Sequence, residues 1–119
     1  DIRGADCLLW SNLISGHSSA SCFFMAPGID RGDIILSCWL PRFNCDIDVN
    51  ILSTKQCYRL IYSFIDPWVR SFALKILFEK KIDFNQFKAT HQNENDGVLY
   101  HFMHERMQRC VIKDIFFQS

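Results

Sequence analysis

Gly28-Ile29-Asp30-Arg31-Gly32-Asp33 is the stretch whose residue types and spacing best suit chemistry. Glycines flank a carboxylate, so the backbone can turn sharply there and a large flat ligand can approach closely. An Asp held in such a turn can position a water or accept a proton. It can equally cap the turn before the strand that starts near Ile34. Asp33 reads as structural, satisfying backbone amides of the same turn, and Arg31 as a solvated side chain. His101 and His104, with Glu105 adjacent, lack the His-x-x-x-His spacing and a third ligand, so no metal site is expected. No Ser or Cys occupies a Gly-x-Ser-x-Gly elbow. The six cysteines form no Cys-x-x-Cys or Cys-x-x-His spacing. Cys7, Cys22, Cys38, Cys57 and Cys110 lie among apolar neighbours and read as small hydrophobes, while Cys45 lies in a polar turn. Six reduced thiols in a cytoplasmic compartment are the expectation.

These candidates must be held by the surrounding elements. Residues 5–15 place Leu8, Leu9, Asn12 and Leu13 at helical spacing, with Gly16 as the stop. Residues 20–26 form a short apolar run that predicts a strand, and Ile34 to Leu40 predicts a second, closed by Pro41. The two could form a hairpin or lie as neighbours in a larger sheet. Both read as hydrophobic on each face, which predicts cover on both sides. Ser53, with Gln56 three residues on, opens a helix striped by Tyr58, Ile61, Tyr62 and Ile65. Pro67 is expected to interrupt it, with Asp66 capping a second helix through Val69, Phe72, Ala73, Ile76 and Leu77. Thr90 to Gly97 reads as a loop, Val98 to Phe102 as a strand and His104 to Phe116 as the last helix. Trp10, Trp39 and Trp68 fall in apolar stretches and read as core.

Composition limits the partners. The chain has 119 residues, 49% of them hydrophobic and eleven of them Phe, which is ample for a core and too apolar for a disordered chain. Thirteen basic residues cancel thirteen acidic ones, so no electrostatic footprint for nucleic acid or an anionic membrane is present. The uncharged stretch Cys7 to Ala26 is broken by Ser, Asn, His and Gly, so no membrane span is expected. No basic segment followed by an apolar one opens the chain as a secretory signal would.

Three segments together resemble the folate-dependent formyltransferases: the methionyl-tRNA, glycinamide ribonucleotide and sugar N-formyltransferases. The first is Arg3-Gly4-Ala5, leading into a helix that ends at Gly16. The second is the strand and the Gly28-Ile29-Asp30-Arg31-Gly32-Asp33 loop after it. The third, Gln92 to Tyr100, is similar to the family's Gln-x-x-x-x-Gly-x-x-Tyr segment. Met103-His104-Glu105-Arg106-Met107 is similar to a run in bacterial formyltransferase-like proteins of surface-sugar synthesis. The turn Gly16-His17-Ser18-Ser19 is shorter than the family's loop. The likeness covers residues 3–40 well and 90–116 loosely.

The resemblance implies an α/β fold, with residues 1–50 as the C-terminal half of a Rossmann-like formyltransferase domain and 51–119 as a mainly helical extension. It implies formyl transfer from 10-formyltetrahydrofolate to a primary amine, with Asp30 as the catalytic proton handler. Gly28, Ile29 and Gly32 would contact the folate, and Arg3 and His17 the edge of the acceptor cleft. A sugar nucleotide is the favoured acceptor, because the chain lacks the basic surface that tRNA would need. The family's Asn-x-His segment does not occur in this sequence. The chain is therefore expected to be a fragment that is inactive alone and able to pair with a second copy through uncovered strands. A non-catalytic formyltransferase-like interaction module, and a methionyl-tRNA or purine-pathway enzyme, are the alternatives.

Overall fold

The computed structural model describes residues 2–40, 47–48, 50–93, 95 and 97–116. It is a mixed α/β arrangement of two small sheets and a helical layer. In chain order the elements are β1 (Ile2–Gly4), α1 (Cys7–Ser15), β2 (Ser18–Phe23), β3 (Ile34–Leu40), α2 (Thr54–Leu60), a π-helical turn (Ile61–Ile65), α3 (Asp66–Glu79), β4 (Val98–Tyr100) and α4 (Glu105–Phe116). Pro41 and Cys45 lie outside the described residues.

α1 ends where Gly16, at φ 69°, donates its N–H to the Asn12 carbonyl at 2.9 Å, a left-handed close that glycine makes without a Cβ penalty. β2 and β3 pair antiparallel, with Ser18 opposite Leu40 and Ala20 opposite Cys38, and a bulge between Cys22 and Phe23. The hairpin alternative is thus the one adopted. β2 starts earlier than expected and stops at Phe23, because Ser18 is buried against the Asn12 amide (3.0 Å) while Met25 is 98% exposed.

The expected cover on both faces is absent among the described residues. α1 and α3 pack against β2. On the other face Ser21 and Ser37 are exposed, their hydroxyls 2.8 Å apart, and Trp39 stays 67% exposed. An antiparallel pair can be wet on one side, and the serines make that face tolerable.

Ser53 caps α2 as a capping box: its hydroxyl accepts from Gln56 N–H, and the Gln56 side chain accepts from Ser53 N–H. Pro67 does not break the helix. The π turn shifts the bonding to i→i+5, with Asp66 N–H donating to the Ile61 carbonyl, so the chain enters α3 with Pro67 in its first turn, where no N–H is required. Asp66 is itself helical and pairs with Arg70 at 2.8 Å instead of acting as a cap.

One hydrophobic cluster joins the two ends of the chain. Leu8, Leu9 and Leu40 pack with Cys57, Ile61, Val69, Met103 and the α4 residues Val111, Ile112, Ile115 and Phe116. Trp10 packs at the edge of this cluster and its indole N–H donates to the His101 carbonyl at 2.9 Å, whereas Trp68 is exposed and stacks on Phe72. No helix among the described residues is long and apolar enough to cross a membrane.

Candidate functional site

The site begins with the parallel pairing of β1 and β4, in which Gly4 lies opposite Tyr100. Gly4 has φ 98°, and a Cβ there would collide with the Tyr100 carbonyl, so only glycine brings the strands this close. Ala5 N–H donates to that same carbonyl at 3.0 Å, and Trp10 packs on the Tyr100 ring with centroids 4.7 Å apart. Asp6 secures the turn into α1. Its carboxylate accepts from Met103 N–H at 2.7 Å and from the Tyr58 hydroxyl at 2.8 Å, although the residue is only 4% exposed.

Gln92 ties this edge to the glycine loop. Its side-chain carbonyl accepts from Arg3 Nη2 at 2.7 Å, and its amide donates to the Gly32 carbonyl. Gly32 is buried, and a Cβ would drive into the Phe24 carbonyl, so the loop folds back directly on the strand it leaves. Phe24 N–H donates to the Asp33 carbonyl at 3.0 Å, and Ile34 and Thr90 exchange backbone bonds of 2.8 Å. Asp33 also meets His91, with Oδ1 2.9 Å from Nδ1.

Between these segments opens a cleft of about 430 Å³ lined by Arg3, Pro27, Arg31, His91, Gln92 and Asn93. Arg31 is placed there by a missing side chain. Its stem lies across Gly28, where a Cβ would come within 2.9 Å of the Arg31 Cδ and 3.4 Å of Nε. The cleft wall therefore holds two guanidiniums, two amides and an imidazole whose Nδ1 is paired with Asp33.

The residues expected to act are not all gathered here. Arg3 lines the cleft, while Gly28 and Gly32 shape its wall. What approaches the two glycines is the chain itself, the Arg31 stem at one and the Phe24 carbonyl at the other. Ile29 is 83% exposed and is the one apolar surface the loop offers a flat ligand. Asp30, half-buried at φ 56°, sits at the loop tip in the left-handed region that Asp tolerates better than most residues. Its carboxylate acts toward α1: burial first, then the Asp30 charge, pushes the Cys7 thiol up, with Asp66 adding to the effect and Arg70 opposing it. His17 stands at the opposite end of β2, its ring edge-on to Trp39 with centroids 6.2 Å apart. Six strand residues, about 20 Å, separate it from the loop.

Sequence reasoning read Arg31 as a solvated side chain, and it is exposed; it did not single out His91 or the place of either in the cleft wall. The signal for Arg31 was Gly28 three residues before it, a gap into which its stem folds. His91 carried no local signal, because its partner Asp33 is 58 residues away. Among the described residues, no group of three His, Cys, Asp or Glu could hold a metal ion, and Cys7, Cys22, Cys38, Cys57 and Cys110 are free thiols. A scan of protein-family models, a search of curated proteins and a search of solved structures return no match to this chain.

Proposed function

We propose that the chain is the C-terminal part of a Rossmann-like formyltransferase domain with a helical extension, and that the complete protein transfers a formyl group from 10-formyltetrahydrofolate to a primary amine of a sugar nucleotide. The observation that carries this reading is the meeting of the three segments behind the resemblance. Arg3 bonds Gln92, Gly4 abuts Tyr100, and Gln92 bonds Gly32, so segments far apart in the chain meet at the glycine loop. Three motifs with unrelated roles would have no reason to share hydrogen bonds.

Folate supplies the formyl group, and the chain's part is to shape its approach and handle a proton. Ile29 offers apolar surface to a flat ring, with the loop fixed beneath it by Gln92 and Phe24. An amine that is acylated must lose a proton as the tetrahedral centre forms, and Asp30 Oδ, on its loop tip, is the acceptor for it. Electrostatic support of the developing oxyanion is assigned to the Asn and His of an Asn-x-His segment outside these residues. Free thiols at the described cysteines and a net charge of zero support a cytoplasmic protein acting on a small acceptor.

The test is Asp30→Asn in the complete protein, with formyl transfer to amino-sugar nucleotides as the readout. Turnover is expected to fall by about two orders of magnitude or more, as loss of a proton-handling group does, with the circular dichroism spectrum unchanged. Unchanged turnover would leave Asp30 as a turn residue. Coding sequence that contains no Asn-x-His, together with no transfer to any amine, would favour the non-catalytic module.

A further inference from the structure

We infer that the outward face of α3 docks a second copy of this chain, the two helices packing antiparallel about a two-fold axis at Ser71. The inference stands apart from the formyltransferase reading. α3 turns Val69, Ala73 and Leu77 inward and packs against β2 and β3. Its other side exposes Trp68, Leu74 and Phe78, and the π turn before it adds Phe64. Steps of four, three, four and three residues lead from Phe64 through Trp68, Ser71 and Lys75 to Phe78, which keeps them in one stripe.

The stripe matches itself when reversed. A two-fold contact needs residue i to meet j while j meets i. With the axis at Ser71, Phe64 falls opposite Phe78 of the second copy, Pro67 opposite Leu74 and Trp68 opposite Lys75, each pair occurring twice. Ser71 is small and exposed, so the helices can close to the usual separation of about 8–10 Å where they cross. Trp68 is already held by stacking on Phe72, with centroids 5.5 Å apart, and an ammonium over its other face adds a cation–π contact. The charges beside the stripe are paired within one copy, Asp66 with Arg70 at 2.8 Å and Lys75 with Glu79 at 3.6 Å. No lone charge is therefore carried into the contact. The area agrees as well. Phe64, Trp68 and Phe78 are 68%, 54% and 70% exposed, on the order of 400 Å² of aromatic surface at about 200 Å² per side chain. That is half of the roughly 800 Å² each partner buries in a stable interface, and Pro67, Leu74 and the stem of Lys75 widen it. A net charge of zero gives the face no pull toward an anionic membrane.

Sedimentation velocity of the chain over a wide concentration range tests the assignment. A reversible equilibrium between 14.0 kDa and twice that mass is expected, with no larger species. Trp68→Ala and Phe78→Ser are each expected to weaken it at least about tenfold. Both side chains are exposed, so the fold is not at stake. Trp39→Ala, on the outer face of β3, is expected to change nothing. Cross-linking reads the position of the axis. Ser71→Cys brings its two thiols together where the Cα atoms are within the roughly 4.4–6.8 Å that a disulfide spans, and mild oxidation should give a covalent dimer. Ser63→Cys lies two turns away, so its thiols stand about 24 Å apart at 1.5 Å per residue and should cross-link no more than the unsubstituted chain. A chain that stays monomeric, assembly that continues past the dimer or survives Trp68→Ala, or equal cross-linking in Ser63→Cys and Ser71→Cys would each overturn the proposal. A monomer that co-sediments with phosphatidylserine vesicles, and loses this in Phe78→Ser, would give the face to a membrane instead. No readout uses a formyl donor or acceptor, so failure of the transferase reading would leave the dimer standing.

Discussion

At Gly32 a single methyl group has nowhere to go. The carbonyl of Phe24 occupies the space a Cβ would need, and both belong to backbone that the Phe24–Asp33 bond holds in place. Gly28 differs in kind. Its φ of 99° disfavours any side chain, but the atom in the way is the stem of Arg31, which can swing aside. Gly32→Ala is therefore expected to cost about 3 kcal/mol or more in urea unfolding, since backbone must move. Gly28→Ala should cost about 1–2 kcal/mol, the usual penalty for a strained backbone position, and should displace the Arg31 stem. Equal costs at the two positions would show that the loop is not packed as described.

At the scale of elements, the capping box is the most local device in the chain and the easiest to test. Ser53 and Gln56 bond each other's backbone N–H groups, at 3.2 Å and 2.8 Å. Ser53→Ala should destabilise by about 1 kcal/mol, measured by urea denaturation. Gln56→Ala should cost less on its own, and the double variant less than the sum, because each side chain holds the other in place. A strictly additive pair would mean that the box does not act as a unit. Such local devices were legible in the sequence, and so were β3 and α4, whose apolar periodicity needs no distant partner. The break expected at Pro67 failed because a π turn changes the bonding register before the proline arrives, and residue types alone do not reveal a register. The pairing of β1 with β4 joins three-residue strands too short to show alternation, and Gly4 discloses its purpose only when Tyr100 is opposite. For the same reason the Asp30 loop could be singled out from its residue types, whereas the approach of His91 to Asp33 could not.

At the scale of the whole molecule, Asp6 is the point where the two ends of the chain are joined. Its carboxylate, near the start of α1, accepts from Tyr58 on α2 and from Met103 at the approach to α4. Tyr62, one turn on from Tyr58 and 4.6 Å from it ring to ring, points a buried hydroxyl that has no hydrogen-bond partner among the described residues. Burial, and then the bond to and charge of Asp6, push the Tyr58 hydroxyl up to about 12, and burial foremost moves Tyr62 in the same direction. In the unfolded chain both titrate near about 10. The folded state therefore keeps protons that the unfolded state gives up, so the stabilisation is complete below about pH 10 and is lost as the pH rises toward 12. Each retained proton contributes a slope of about 1.4 kcal/mol per pH unit in that window. Urea unfolding of the chain between pH 8 and 11 should show stability falling with pH beyond the decline common to all variants. Tyr58→Phe should lower stability at pH 8 by about 1.5–3 kcal/mol, the worth of a hydrogen bond to a charged group, yet fall less steeply above pH 10, since only Tyr62 would then remain to titrate. Parallel curves for the two proteins would show that Tyr58 is not held against Asp6, and the join between α1 and α2 would have to rest on apolar packing.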